Sequence, residues 1–161
     1  MINDAEVIKR MNKTCRSRGA VGANALVPRF IASCIPKCAR ILDYGAGKDL
    51  IHVSMLREQG FDFVDGYEFG ENVTSAHVTN LQPRYYDFVY LSNVFNVQPS
   101  PEHIQKVVYE VVRCLTPDWG ACYFNYPKAP RYSSVTLTEL FELIKIPVFK
   151  MDPRGVYCFQ L

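Results

Sequence analysis

The sequence lacks an apolar run near the roughly 20 residues that a membrane-spanning helix needs. Its start, Met1 to Asp4, also lacks the basic and then apolar order of a signal peptide. Internal repeats and low-complexity segments are missing as well. We therefore expect a protein of the cytoplasm that has no membrane as a partner.

An excess of charge of one sign is also missing. The chain has 18 basic and 16 acidic side chains, which give a formal net charge of +2. A protein that is held on DNA by neutralising phosphates carries a pronounced basic surface. Nucleic acid is therefore neither indicated nor excluded as a partner.

The six cysteines show no metal-binding pattern. Cys34 and Cys38 are spaced more widely than the pair of a zinc knuckle, and no second pair of ligands lies nearby. Since the cysteines stand among apolar neighbours, we expect reduced, buried thiols and no metal site.

The chain has the length and composition of a single domain, with 161 residues of which 48% are hydrophobic. Apolar periodicity and turn residues predict helices at 4–12, 24–34, 50–59, 101–115 and 137–144, and strands at 39–43, 61–68, 76–79, 86–91, 121–125, 148–151 and 156–160. This alternation predicts an α/β fold: a Rossmann-like, mostly parallel sheet of seven strands, with helices on both faces and an antiparallel last strand. The connection to the strand at 76–79 is too short for a full crossover helix, so we expect the sheet to be trimmed there.

The stretch 40–50 leads from an apolar strand through an acid, Asp43, into a turn that contains Gly45 and Gly47. Glycine at these positions lets the backbone approach a nucleotide-like ligand without a Cβ atom in the way. Asp49 is predicted to cap the helix that follows, and Asn24 is predicted to cap the helix at 24–34.

Polar and aromatic residues also follow other predicted strands. Glu68 and Phe69 come after the second strand, and Asn93 to Asn96 after the fourth. Parallel sheets bind ligands beyond the carboxyl ends of their strands, and Glu68 can accept hydrogen bonds from both hydroxyls of a ribose. The sequence therefore predicts a nucleotide-like ligand at this edge.

Two other nucleotide sites fit less well. A nicotinamide-dependent oxidoreductase is disfavoured because Leu50 stands where the Gly-x-Gly-x-x-Gly fingerprint has its last glycine. A phosphate-binding loop at Gly47-Lys48 is excluded because Asp49 replaces its Ser or Thr and the upstream glycine is missing.

Four segments carry a resemblance to a known family: Ile41-Leu42-Asp43-Tyr44-Gly45-Ala46-Gly47, Gly66-Tyr67-Glu68, Asp87 to Val97, and Thr116-Pro117-Asp118-Trp119-Gly120. With them the chain resembles a class I S-adenosylmethionine-dependent methyltransferase over roughly residues 14 to 161. It looks closest to the short stand-alone enzymes of bacteria and their phages, which implies the host cytoplasm if it is encoded by a phage. Residues 39–161 would form the Rossmann-like core and residues 1–38 an N-terminal helical lid segment.

The resemblance implies roles for individual residues. The cofactor would be S-adenosylmethionine, with the following predicted contacts: Asp43 at its amino end, Gly45, Ala46 and Gly47 along the methionine, Glu68 at the ribose hydroxyls, Phe69 at the adenine, and Asn93 and Val94 beside the methyl-transfer site. We infer that Arg16 and Arg18 bind its carboxylate. Asn93 and Asn96 are the candidate catalytic residues, because their side-chain carbonyls can orient an acceptor.

Some features depart from the family pattern. No acid follows the third predicted strand to hold the adenine amine, so His77 or Asn80 would have to substitute. Asn125 opens a tripeptide similar to the loop of amino-methylating enzymes, but it follows a different strand and is interpreted as a decoy.

Two functions are therefore kept. One is methyl transfer to an unidentified acceptor, which is a small molecule, a protein or a nucleic acid. The other is a non-catalytic, methyltransferase-like protein that acts as a binding partner or inhibitor of another protein. The trimmed third crossover and Asp49 favour the second function somewhat.

Overall fold

The protein is described from a computed structural model, which covers residues 24–130 and 133–161 together with residues 5, 6 and 9. Ala5, Glu6 and Lys9 are helical, within the helix predicted at 4–12. The rest of that helix, and the candidate residues Arg16 and Arg18, lie outside the described residues.

The described chain alternates helices and strands in the predicted order. Its helices are α1 (Leu26–Cys34), α2 (Ile51–Glu58), α3 (Pro101–Cys114) and α4 (Leu137–Ile144). Its strands are β1 (Arg40–Tyr44), β2 (Phe63–Tyr67), β3 (Phe88–Leu91), β4 (Ala121–Asn125), β5 (Val148–Asp152) and β6 (Val156–Gln160). Short 3-10 turns follow β2 at Gly70–Asn72 and β3 at Phe95–Val97.

The strands form one sheet in the order β2-β1-β3-β4-β6-β5. Strands β1 to β4 pair in parallel, and β6 runs antiparallel to both β4 and β5. This confirms the predicted Rossmann-like fold with an antiparallel last strand. Because β1 is flanked by β2 and β3, the carboxyl ends of these three strands lie side by side.

The sheet of the described chain has six strands instead of the predicted seven. It ends at β2 on the side where the strand at 76–79 was predicted. Residues 76–79 were predicted as a strand, and they form turns and bends instead. A single backbone hydrogen bond, from Val78 N to Gly66 O at 3.0 Å, ties this segment to β2.

Helices cover both faces of the sheet. Helices α1 and α2 pack with one set of strand residues, including Ile41, and α3 and α4 pack with the alternate set, including Leu42. Both residues are fully buried, as expected for a parallel strand covered on both sides. Helix α3 begins at the cap Ser100, whose side chain accepts from His103 N, and its apolar stripe is buried as predicted.

Two predicted helix caps are wrong. The N-cap of α1 is Ala25 rather than Asn24, and that of α2 is Leu50 rather than Asp49. Leu50 takes a left-handed conformation with φ of 52°, which turns the chain into the helix without a side-chain cap and leaves Asp49 exposed. Ile51 at the start of α2 is 40% exposed and lies outside the apolar face that Val53 and Leu56 bury.

The cysteines differ in part from expectation. Cys114, Cys122 and Cys158 are buried free thiols, but Cys34 and Cys38 are exposed. Within the described residues, no His, Cys, Asp and Glu side chains cluster in a way that could hold a metal ion. In the same part of the chain, no helix is both long and apolar enough to cross a membrane.

Candidate functional site

The candidate site lies at the carboxyl ends of β1, β2 and β3. The turn after β1 and the residue after β2 are joined directly, because Gly47 N donates to Glu68 Oε2 at 2.8 Å. Gly47 and Glu68, two of the residues that were predicted to lie at this edge, are therefore in contact.

The glycine turn is fixed by its backbone. Gly45 N and Ala46 N both donate to Tyr67 O, at 2.9 and 3.0 Å. Gly45 has a φ of +83°, and a Cβ atom there would lie 2.7 Å from Cγ2 of Val94. The turn thus needs glycine at this position, both for its left-handed conformation and for its close approach to the loop after β3.

Gly47 shares the left-handed conformation of Gly45 but differs in its surroundings. Its φ is +73°, but a Cβ atom there would meet nothing within 4 Å. The space beside Gly47 is therefore open, which is where a bound ligand can approach the backbone.

Glu68 is buried, with 5% of its surface exposed, and both of its oxygens accept from backbone N–H groups. Oε1 accepts from Phe69 N at 2.9 Å, and Oε2 from Gly47 N. Burial raises the pKa of Glu68, and the two N–H groups and His77 oppose this rise. Each carboxylate oxygen can accept a further bond, so the residue can still take ligand hydroxyls.

His77 holds the turn from its other side. Its Nδ1 accepts from Thr74 N at 3.0 Å, so the ring proton lies on Nε2, which donates to Gly47 O at 2.9 Å. Both ring nitrogens are used within the chain, and Asn80 is exposed. The geometry therefore gives His77 a role in holding the turn rather than in binding an adenine.

Asp43 is the most deeply buried acid of the site. It is 1% exposed, and neither oxygen makes a hydrogen bond with the described residues. The nearest basic group is Nδ1 of His52, 3.8 Å from Oδ2. Burial raises the pKa of Asp43 to about 7; the Tyr90 hydroxyl, opposite it in the β1–β3 pair, lowers the pKa and the charge of Glu68 raises it further.

The loop after β3 presents two asparagines in different states. Asn93 has a φ of +58°, its N–H donates to Asn125 Oδ1 at 2.7 Å, and its Oδ1 accepts from Asn125 Nδ2 at 2.8 Å. Asn96 Oδ1 is buried without a hydrogen-bond partner among the described residues, as is Ser92 Oγ. Asn93 is thus locked in the chain, whereas Asn96 keeps a free acceptor.

Asn125 was interpreted from the sequence as a decoy, but it is bonded to Asn93 in the loop after β3. It ends β4 beside β3, so its amide reaches the loop after β3. Its position at the end of a neighbouring parallel strand was the signal that could have identified it.

The other predicted residues lie close to this turn and loop. Ala46 and Val94 are buried, and Phe69 is half-buried against the core on the α3 side of the sheet. Asp49 is exposed and does not share the burial of Asp43 and Glu68.

This arrangement fits a ligand that carries a cation and a pair of hydroxyls. The buried carboxylate of Asp43, whose oxygens accept no hydrogen bond within the described residues, would be neutralised by a cationic group, and Glu68 has lone pairs free for hydroxyls. Gly47, with open space beside it, stands between Asp43 and Glu68 in the sequence. Fold and site together define a Rossmann-like domain whose strand ends have the chemistry to receive an amino group and a pair of hydroxyls.

The particular family follows from comparison with known proteins. Residues 9–153 match the model of a family described as methyltransferase domain, so the chain belongs to that family. No curated protein matches the sequence.

Solved structures share the fold at low identity. A TehB-like S-adenosylmethionine-dependent methyltransferase from Corynebacterium glutamicum has a TM-score of 0.60 at 17% identity, covering 98% of this chain and 97% of its own. The 1,6-didemethyltoxoflavin-N1-methyltransferase of Burkholderia thailandensis, with S-adenosylhomocysteine bound, has a TM-score of 0.64 at 16% identity, covering 96% and 85%. An S-adenosylmethionine-dependent methyltransferase from Aquifex aeolicus has a TM-score of 0.57 at 15% identity, covering 94% and 96%. The family and these neighbours support S-adenosylmethionine as the cofactor.

Asp43 predicts a dependence of stability on pH. Because its folded pKa is raised from 3.8 to about 7, its contribution to stability is full below about pH 4 and is lost as the pH rises to 7. We expect Asp43→Asn to raise the free energy of unfolding of the ligand-free protein by a few kcal/mol more at pH 8 than at pH 5. Urea unfolding at both pH values measures this.

The matched control for that experiment is Asp49→Asn, an exposed acid on the same turn, which should change stability little at either pH. An equal effect of Asp43→Asn at pH 5 and pH 8 would contradict the raised pKa.

His77 predicts a local effect on the glycine turn. His77→Phe removes the donor to Gly47 O and the acceptor for Thr74 N, and we expect it to lower the free energy of unfolding by about 1 to 3 kcal/mol. Relative to the wild type, amide hydrogen exchange should become faster in residues 45–50 and stay unchanged in α3. Thr79→Ala, an exposed change in the same segment, serves as the control. Unchanged exchange in the turn would show that His77 does not hold it.

Proposed function

We propose that the protein transfers the methyl group of S-adenosylmethionine to an acceptor molecule. The observation that carries the proposal is the joined pair of strand ends, where the N–H of Gly47 is bonded to the buried Glu68 and the oxygens of the neighbouring Asp43 accept no hydrogen bond within the described residues. Membership of the methyltransferase-domain family supports the same reaction.

The proposed roles follow from the chemistry of each group. Asp43 accepts from the amino group of the cofactor, since a cation beside this buried carboxylate removes the cost of its ionisation. Glu68 accepts from the ribose hydroxyls, and its two backbone donors keep the carboxylate oriented for them. The turn from Gly45 through Ala46 to Gly47 lies along the methionine part.

The roles of four further residues stay predictions from the sequence. Phe69 packs on the adenine, Val94 borders the transfer site, and Arg16 and Arg18 bind the carboxylate of the cofactor. Val94 already contacts the turn, since it is the side chain that a Cβ atom on Gly45 would meet.

When bound, the cofactor supplies an electrophilic methyl group on a sulfonium. The chain itself needs no acid–base dyad for this reaction, because alignment of two bound reactants supplies much of the rate enhancement. Its tasks are to hold the cofactor by the strand ends and to orient the acceptor. Asn96 fits the second task, since its buried Oδ1 is free to accept from a donor group of the acceptor.

Asn93 fits a supporting role better than a direct one. Its backbone N–H and side-chain oxygen are both used by Asn125, so the pair holds the loop after β3 in its left-handed conformation. We therefore propose that Asn93 and Asn125 position Asn96 and Val94, and that Asn96 is the residue in contact with the acceptor.

For the methyl acceptor, we propose a chemical class rather than an individual molecule. The Burkholderia neighbour is titled as an N1-methyltransferase with 1,6-didemethyltoxoflavin bound, which makes a small molecule the first class to test. Protein and nucleic-acid acceptors are the other two. The trimmed β2 edge also suits the second candidate function, a protein that binds the cofactor and a protein partner without turnover.

Cofactor binding gives the first test. Titration with S-adenosylmethionine by calorimetry should show binding, and Glu68→Gln should weaken it about tenfold to a hundredfold, since it removes charge-assisted hydrogen bonds. Gly45→Val should weaken it strongly because its side chain would collide with Val94.

Glu71→Gln, an exposed acid close to Glu68 in the sequence, is the matched control and should bind as the wild type does. No heat from the wild type at high micromolar cofactor would overturn the proposal.

Turnover gives the second test. Release of S-adenosylhomocysteine is followed with a bacterial extract divided into a dialysable fraction, a nuclease-treated fraction and a protease-treated fraction. We expect Asn96→Leu to lower kcat by about tenfold or more while the affinity for S-adenosylmethionine is unchanged, because the interaction it removes is with the acceptor.

Asn80→Leu, a change of the same kind at an exposed position, should leave turnover unaltered. If the wild type binds the cofactor and no fraction supports turnover, the non-catalytic function is favoured instead. A parallel loss of cofactor affinity in Asn96→Leu would contradict the role given to Asn96.

A further inference from the structure

Tyr90 is a fully buried side chain of β3 whose hydroxyl makes no hydrogen bond with the described residues. It packs with apolar side chains, including Ile41 and Val53, on the α1 and α2 side of the sheet. A buried hydroxyl without a hydrogen bond costs free energy, and phenylalanine would fill the same space without that cost. The hydroxyl therefore indicates a function beyond packing.

The group nearest in kind to this hydroxyl is the carboxyl group of Asp43. Tyr90 and Asp43 are opposite each other in the parallel pairing of β1 and β3. Because side chains alternate along a strand, Asp43 lies on the same side of the sheet as Ile41, which packs with Tyr90. Burial raises the pKa of Asp43, and the Tyr90 hydroxyl lowers it, although the geometry falls short of a hydrogen bond.

The two groups are chemically complementary. An ionised carboxylate can only accept hydrogen bonds, and a tyrosine hydroxyl has a proton to donate. Burial raises the pKa of Tyr90, and the charge of Asp43 and a hydrogen bond to it raise the pKa further, so the hydroxyl keeps its proton. Tyr90 therefore stays a donor over the range in which Asp43 gains or loses its own proton.

Other charged groups reach Asp43 from the elements around it. Nδ1 of His52 on α2 lies 3.8 Å from Oδ2, which is longer than a hydrogen bond. Glu68 after β2 acts through its charge, which raises the pKa of Asp43. The charged side chain of α1, Arg29, is exposed. His52 and Glu68 thus act on Asp43 at a distance, whereas Tyr90 offers it a hydrogen-bond donor.

We propose that Tyr90 is a positioning residue of the cofactor site. Its hydroxyl donates to one oxygen of ionised Asp43, leaves the other oxygen for the amino group of S-adenosylmethionine, and sets the pH range in which that amino group is bound. The inference rests on the proposed function, because it takes Asp43 as the acceptor for the amino group. Tyr90 itself does not touch the cofactor.

This pair makes cofactor binding depend on pH in a defined way. The α-amino group of an amino acid keeps its positive charge up to about pH 8. Because the pKa of Asp43 is raised to about 7, at lower pH its carboxyl group must release a proton to solvent before it can receive that charge. Affinity for S-adenosylmethionine should therefore be highest between about pH 7 and 8, and should fall by up to about tenfold for each pH unit below 7.

Tyr90→Phe should move this profile without abolishing it. Loss of the hydroxyl leaves ionised Asp43 with one donor fewer and raises its pKa, by about one unit for a typical hydrogen bond to a charged group. Calorimetric titration should then give an affinity about tenfold below that of the wild type at pH 6 and about twofold below it at pH 8. A defect of folding or packing would lower the affinity to the same extent at both pH values.

Two variants control the assignment. Tyr123→Phe makes the same change at the position of β4 that pairs with Tyr90, and it should leave the pH profile as in the wild type. In His52→Gln, which removes the imidazole near Asp43, the fall in affinity below pH 7 should persist. Disappearance of that fall would assign it to His52 and overturn the proposal. Circular dichroism checks that each variant is folded.

A second readout needs no cofactor. In carbon-labelled full-length protein, NMR titration of the Asp43 carboxyl group should give a higher pKa in Tyr90→Phe than in the wild type. An unchanged Asp43 titration, or an equal loss of affinity at pH 6 and pH 8, would overturn the role of Tyr90 and leave the cofactor proposal standing. If the wild type gives no heat with S-adenosylmethionine at any pH, the proposed function is wrong, and the role of Tyr90 in cofactor binding is wrong with it.

Discussion

The carboxylate of Glu68 is the group on which the arrangement of the site depends. It stands at the end of β2, and it binds the N–H of Gly47 at the end of β1 and the N–H of its own neighbour, Phe69. The imidazole of His77 then holds the opposite side of the same peptide turn. One buried acid thus connects the ends of β1 and β2. The same hydrogen bond holds Gly47 in the position where the space beside it is open. The proposed ligand site is therefore built from backbone groups, with side chains that fix the backbone.

Residues with regular spacing were predictable. The bounds of β4 and α4 agree with the structure, and the apolar stripe of α3 is buried, because periodicity and turn residues act locally. The glycine turn was predictable in the same way. Asp49 and Asn24 were misread as caps because a good capping side chain does not decide the entry of a helix when the backbone takes another route, as Leu50 does.

The remaining features depend on contacts between distant parts of the chain. His77 reaches Gly47 across 30 positions of sequence, and Asn125 reaches Asn93 across 32. Contacts across such separations leave no local pattern in the sequence, so the sequence does not indicate which residue His77 or Asn125 bonds to. The loss of the strand at 76–79 is of the same kind, since its pairing with β2 was open to the chain and was not used beyond Val78.

The trimmed edge also bears on how rigid the site is. Strand β2 is hydrogen-bonded along its length to β1, while its outer side is tied at Gly66 by Val78, and Phe63 at its start is 55% exposed. A strand with one partner opens more readily than one held on both sides. The acid that organises the turn therefore sits on the least supported part of the parallel sheet. If the proposed ligand binds here, part of its binding energy would go into holding this edge of the sheet in place.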